Sequence, residues 1–150
     1  MHVRRELETA VPWLAARSLL EDGNWSWFDL GESNEKHAFL TGTLRDTVEL
    51  HREAVFRRGT AMPLGSSLAV PIRLDAEQHR EWFPTFAGHL EASNTEGGTM
   101  LVVEGEYVVP VGPAGELIDR LLLHSIAESS LSSLLSRIAA GLLFAAGQRV

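Results

Sequence analysis

The chain contains no cysteine, so disulfides, thiolate nucleophiles and zinc sites built on sulfur are excluded. Long apolar runs are also missing. The most apolar segment, LLSRIAAGLLFAAG, is interrupted by Arg137 and falls short of the ~20 residues that a membrane helix needs. We therefore expect no membrane span. Glu6 and Glu8 precede any apolar stretch, unlike a secretory signal, and we expect a cytoplasmic protein.

An excess of positive charge is lacking as well. Thirteen Lys and Arg stand against twenty Asp and Glu, which gives a net charge of -7. Acidic surfaces repel phosphate backbones and anionic lipids, so we expect neither nucleic-acid binding nor membrane docking. The adjacent basic pairs, Arg4 with Arg5 and Arg57 with Arg58, are expected to be solvated surface.

Known catalytic and cofactor motifs are missing too. No nucleophile elbow, P-loop or dinucleotide fingerprint occurs, and we expect no cofactor. The pairs His51/Glu53 and His89/Glu91 lie on the polar register of their strands, so we expect no metal site with three or more protein ligands. The 150 residues, 45% of them hydrophobic, predict a single domain over residues 1–150.

In the first third of the chain, some segments predict a strand or a helix and one predicts neither. Residues 3–9 predict a strand, and AVPWLAARSLLED predicts a helix with Pro12 in its first turn. The aromatic and then polar segment at residues 24–37 predicts no definite structure.

From about residue 38 the hydrophobic period becomes two. TVELHREAVF, SLAVPIRL, a short stretch around Leu90 and TMLVVEGEYVVP each predict a strand. Pro71 favours an edge position or a bulge, and NTEGG favours a hairpin turn because Gly97 and Gly98 tolerate positive φ. Short turns between strands predict an antiparallel meander of five to seven strands.

Beyond Gly112 and Pro113 the period changes to 3.6. The pattern predicts one unbroken helix from residue 114 to about 140, extending to roughly Gly147, which would be about 45–50 Å long. A small domain can bury so long a helix when a sheet curves around it. We therefore predict an α+β fold of the helix-grip type, a curved antiparallel sheet around a long C-terminal helix.

Four polar residues interrupt the apolar patterns. His124 and Glu128 stand four apart in the middle of the leucine stripe of the last helix, where their side chains can touch. Arg52 and Tyr107 occupy inward positions of their strands. Apolar walls with a few placed polar groups are typical of small-molecule pockets. The predicted ligand-binding residues are Arg52, Leu101, Val103, Tyr107, Leu121, His124, Glu128 and Leu135.

Three functions fit this pattern. The first is binding or carriage of a hydrophobic small molecule with one polar end. The second is a cyclase- or hydrolase-like enzyme in which His124 acts as general acid/base and Glu128 orients it. The third is a protein-interaction module with a filled core, in which the His124–Glu128 pair is a structural salt bridge. The oligomeric state stays open, although the apolar segment LLFAA past residue 141 is compatible with a homodimer.

The second half of the chain resembles START-like (SRPBCC) domains over about residues 67–140. The resemblance lies in EWFPTFAGHLEA and in TMLVVEGEYVVPVGPAGELIDRLLLHSIAESSLSSLLSRIA. The corresponding positions are Phe83, Pro84, Gly88, Leu90, Gly105, Tyr107, Pro110, Gly115, Asp119 and Arg120. The resemblance implies a helix-grip fold with a hydrophobic cavity for lipids, polyketides or aromatic compounds, and it implies no particular catalytic residue.

Overall fold

The computed structural model describes residues 2–23, 25–28, 54–76, 85–108 and 120–147, without the side chains of residues 54–55, 76 and 120–126. In chain order, the elements are β1 (His2–Thr9), α1 (Trp13–Glu21), β2 (Ala54–Arg58), β3 (Met62–Leu64), β4 (Ser67–Ala76), β5 (Thr85–Thr95), β6 (Gly98–Val108) and α2 (Arg120–Gly147).

The six strands form one open antiparallel sheet in the order β1-β6-β5-β4-β2, with β3 pairing β4. Strands β4, β5 and β6 are a meander of consecutive neighbours, and β1 returns to pair with β6 along its whole length. The predicted α+β class, with an antiparallel sheet and a C-terminal helix, is confirmed. The helix is described from Arg120 onward, and the predicted start at residue 114 lies outside the described residues.

The sheet buries one face, and β4 shows why. Leu68, Val70, Ile72 and Leu74 alternate along this strand and are at most 3% exposed. Side chains of a strand point to opposite faces in turn, so this register buries every second residue. The inward face predicted from the period of two is therefore confirmed for β4. We refer to it below as the inner face of the sheet.

Pro71 occupies a gap in the pairing of β4. On one side β4 pairs with β5 throughout, while on the other side β3 pairs up to Ala69 and β2 begins at Ile72. The Pro71 carbonyl accepts a hydrogen bond from the Gly59 N–H at 2.8 Å, so the proline nitrogen faces the connection between β2 and β3. A residue without an N–H fits there because no ladder bond is lost.

Helix α2 covers the inner face, chiefly over β1 and β6. Its buried side chains are Ala127, Ser130, Leu131, Leu134, Leu135, Ile138 and Leu142. They recur every three or four residues and form one stripe against the sheet, as in an amphipathic helix.

The apolar length estimated from the sequence needs a correction, whereas the expectation of no membrane span is not contradicted. The segment Ala127–Gly147 of α2 is 21 residues long, and by length and composition it is apolar enough to cross a membrane. Yet 33% of it is buried inside the protein, including Leu131 and Ile138, which are fully buried in the core. Core helices of folded domains share this composition, and no membrane span is clearly indicated.

An aromatic cluster joins α1, β2 and α2, where the sequence predicted no definite structure. Trp25 stacks on Phe56 of β2 with ring centroids 6.0 Å apart, and Phe28 contacts the same ring at 4.9 Å. The indole N–H groups of Trp25 and Trp27 donate to the backbone of α1. The cluster therefore fixes α1 against the C-terminal half of α2, where Trp27 lies against Gly141.

Two glycines face each other where β5 pairs with β6. Gly88 is the register partner of Gly105, and a Cβ added to Gly88 would lie 2.7 Å from the Gly105 Cα. The strands approach too closely there for any side chain. In the following hairpin, the predicted positive φ occurs at Gly98, at 147°, while Gly97 adopts an ordinary φ.

We predict that Gly88→Ala lowers the free energy of unfolding by about 2–3 kcal/mol, because the new methyl group collides with backbone that cannot move away. Urea denaturation measures the loss. Gly23→Ala is the matched control, since a Cβ there meets no atom within 4 Å, and it should change the free energy by less than about 0.5 kcal/mol. Equal losses in the two variants would contradict the close approach.

Candidate functional site

Tyr107 is the largest polar side chain in the core. It lies on the inner face of β6, 2% exposed, and its ring packs 5.4 Å from that of Phe86 on β5. Leu101 and Val103 precede it in the same register and are fully buried. The predicted inward placement of these three β6 residues is confirmed.

Ser130 of α2 faces the Tyr107 phenol. Burial raises the pKa of Tyr107 above its usual value, and the interaction with the Ser130 hydroxyl lowers that pKa by a smaller amount. The phenol therefore stays protonated at neutral pH. We call Tyr107 and Ser130 the inner polar pair. No feature of the sequence distinguished Ser130 from the other serines of α2.

A second polar contact joins β1 to α2. The Arg5 Nη2 lies 2.6 Å from the Glu128 Oε2, with the side chains 40% and 31% exposed. The Arg5 Nε is buried and has no hydrogen-bond partner among the residues that the structure describes. We call Arg5 and Glu128 the marginal ion pair, because solvent reaches both side chains.

The marginal ion pair corrects the expectation that Arg4 and Arg5 are both solvated surface. Only Arg4 is exposed on the outer face, while Arg5 points toward α2 between Val3 and Leu7. The alternation of Val3, Arg5 and Leu7 was the signal in the sequence. The two arginines of the second basic pair also differ in their surroundings. Arg58 lies over the Trp25 ring at 5.0 Å, whereas Arg57 is exposed.

The two polar contacts lie at separate places on α2. Residues 128 and 130 are two positions apart on the helix, which puts about 200° between them around its axis. On β6, Val103 lies opposite Arg5, and Tyr107 stands four residues further on, about 13 Å along the strand. The structure therefore does not bring Glu128 and Tyr107 into the single cluster that the sequence predicted.

The other predicted site residues divide into two groups. Leu135 belongs to the buried stripe of α2, as predicted. Arg52 and the side chains of Leu121 and His124 lie outside the described residues, so the His124–Glu128 contact stays a prediction. Among the described residues, Glu128 instead forms an ion pair with Arg5 of β1, at the other end of the chain.

The outer face of the sheet carries charged residues that pair with each other. His2 lies 3.0 Å from Glu104 and 3.1 Å from Glu106, and Arg4 also reaches Glu104. His89 stands opposite Glu104 on this face, as its polar register predicted. Within the described ranges, no group of three or more His, Asp or Glu has the arrangement of a metal site.

Comparison with known proteins gives similarity of fold alone. No protein-family model and no curated protein matches the chain. The structure of a conserved protein from Geobacillus kaustophilus aligns with a TM-score of 0.57 at 11% identity, over 95% of each chain. A hypothetical protein from Helicobacter pylori aligns with a TM-score of 0.53 at 10% identity, over 93% of this chain and 86% of that one.

The chain has one tyrosine, so phenolate absorbance reports on Tyr107 alone. We predict that the folded protein shows no phenolate at pH 10–11, whereas the urea-denatured chain titrates near pH 10. Because the raised pKa keeps the proton on the folded form, stability should fall above about pH 10, by up to about 1.4 kcal/mol per pH unit. A folded chain that titrates near pH 10 would contradict the burial of the phenol.

The marginal ion pair generates a second prediction. A double-mutant cycle with Arg5→Met and Glu128→Gln should give a coupling energy of about 1 kcal/mol, because the partly exposed pair is screened by solvent. The Arg17–Glu21 pair within α1, at 2.8 Å, is the matched control and should give about 0.3–0.5 kcal/mol. Urea denaturation of each set provides both energies, and a coupling no larger than that of the control would rule out a structural role for the pair.

Proposed function

We propose that this protein has a helix-grip, START-like fold and binds or carries a hydrophobic small molecule, such as a lipid, a polyketide or an aromatic compound, between its sheet and α2. The observation that carries the proposal is the inner polar pair, Tyr107 with Ser130, set among apolar side chains of the inner face. Small-molecule sites have this composition, in which apolar walls supply affinity and a few polar groups fix orientation.

The apolar walls would come from β6 and α2. Leu101 and Val103 stand in the register of Tyr107, and Leu135 belongs to the buried stripe of the facing helix. A ligand would lie along these side chains with its polar end at the inner polar pair. Transfer of the ligand's own apolar surface out of water would contribute about 25 cal/mol for each Å² buried.

The overall architecture agrees with this proposal. An antiparallel sheet covered by a long C-terminal helix is common to helix-grip proteins, and the resemblance of residues 67–140 to START-like domains implies the same fold. Fold alone does not determine function, so the proposal depends on the inner polar pair rather than on the architecture.

The catalytic alternative has less support among the described residues. A general acid/base at His124 needs Glu128 to orient it, but the Glu128 carboxylate is engaged with Arg5 at 2.6 Å. A carboxylate compensated by a guanidinium is a weaker orienting group for an imidazole. Binding without chemistry is therefore the function that we propose.

Native mass spectrometry of freshly purified protein tests the proposal. We expect a fraction of the protein to carry an extra mass that disappears on denaturation and is recovered as an apolar compound in an organic extract. A preparation that shows only the polypeptide mass, and that also fails to bind the neutral apolar dye N-phenyl-1-naphthylamine, would favour the filled-core module instead.

Variants of the inner polar pair test whether the ligand binds at Tyr107 and Ser130. Tyr107→Phe and Ser130→Ala each remove one hydroxyl, and both should reduce retention of the co-purified compound because its polar end loses a partner. Ser129→Ala is the matched control, since Ser129 is the exposed neighbour of Ser130 on α2. Equal retention in all three variants would show that the ligand binds elsewhere.

A further inference from the structure

The polar groups that β1 and β6 present to α2 carry no uncompensated charge. Arg5 is the charged residue in these two inward registers, and Glu128 compensates it at 2.6 Å. Tyr107 and Ser130 contribute hydroxyl groups, and the Thr99 hydroxyl already donates to the Val11 carbonyl at 2.8 Å. Where α2 covers β1 and β6, the described polar groups of these two strands therefore offer hydrogen bonds without net charge.

This arrangement disfavours an anionic ligand. A carboxylate or phosphate brought to Tyr107 would lose its hydration and gain no countercharge from β1 or β6. Brought to Arg5, it would lie beside the Glu128 carboxylate, and like charges repel strongly where solvent is partly excluded. Among the described strands, the other arginine in an inward register is Arg58, which lies over Trp25 at the opposite edge of the sheet.

The same groups suit an uncharged polar end. A ligand hydroxyl or carbonyl oxygen can accept a hydrogen bond from the Tyr107 phenol. It can also accept one from the Ser130 hydroxyl, the other member of the inner polar pair. Satisfying a buried donor stabilises the complex by removing a desolvation penalty. Neither hydrogen bond requires a charged group on the ligand.

We infer that the ligand of this protein is an apolar compound whose polar end is an uncharged hydroxyl or carbonyl group, and that carboxylates and phosphates of the same length are discriminated against. The inference rests on the proposed function and assigns its ligand class. The Tyr107 phenol supplies a neutral donor over the whole physiological pH range, and burial raises its pKa further above that range.

Displacement of N-phenyl-1-naphthylamine from the intact chain tests the inference. The competitors are decanol and dodecanol, decanoate and dodecanoate, and dodecyl phosphate, all below their micellar concentrations at pH 8. We expect each alcohol to displace the dye at a concentration about tenfold lower than the carboxylate of equal length, and the phosphate to be weaker still. About tenfold corresponds to 1.4 kcal/mol, within the range expected for one hydrogen bond and a desolvated charge.

The outcomes separate this inference from the proposed function. If the dye and every competitor fail to bind, the proposed function fails and the inference fails with it. If the dye binds but the carboxylates compete as well as the alcohols or better, the proposed function stands and the neutral-ligand inference is wrong.

Variants show whether the inner polar pair is responsible. Tyr107→Phe should weaken displacement by the alcohols by about three- to tenfold, measured relative to the dye affinity of the same variant, because the alcohol loses a hydrogen-bond partner. Ser129→Ala should leave this displacement unchanged. An unchanged alcohol affinity in a folded Tyr107→Phe variant would contradict the assigned role of Tyr107. Should Tyr107→Phe fail to fold, Ser130→Ala provides the same comparison.

Discussion

Covering the inner face of the sheet with α2 is the interaction on which the rest of the structure depends. Strand β1 pairs with β6, so the beginning of the described chain and its last strand form one surface, and α2 packs over both. A polar group that is buried on that surface without a partner costs about 1–3 kcal/mol, so most of these groups are paired. Arg5 meets Glu128, Tyr107 meets Ser130, and Thr99 meets a backbone carbonyl.

Local periodicity explains what could be predicted from the sequence. The alternation of β4 and the inward register of Tyr107 follow from the pleat of a strand, which depends on neighbouring residues alone. The leucine stripe of α2 follows from the helical period in the same way. These patterns were sufficient to predict an α+β fold with an antiparallel sheet and a C-terminal helix. They also placed Leu101, Val103 and Leu135 in the core.

Long-range pairing explains what could not be predicted. The helical wheel predicted Glu128 in the middle of the leucine stripe, whereas its side chain is 31% exposed at the margin of that stripe. The wheel also does not tell which strand faces that side of the helix. Only the pairing of β1 with β6 brings Arg5 under α2, and this pairing joins segments almost a hundred residues apart in sequence. Considering Arg4 and Arg5 as one basic pair hid the alternation that separates them. The aromatic contacts of Trp25 with Phe56 were likewise long-range.

The chemistry of the described polar groups favours retention of a ligand over its conversion. A general acid or base works best when its pKa lies near the working pH. Burial moves the pKa of Tyr107 upward, away from that range, and the phenol remains a hydrogen-bond donor. The Arg5 guanidinium is always charged, and it holds the Glu128 carboxylate in an ion pair. A phenol and a guanidinium that each keep one protonation state can orient a ligand, but they exchange no protons with it. These properties agree with the proposed binding function and with the inference that the inner polar pair accepts an uncharged polar end.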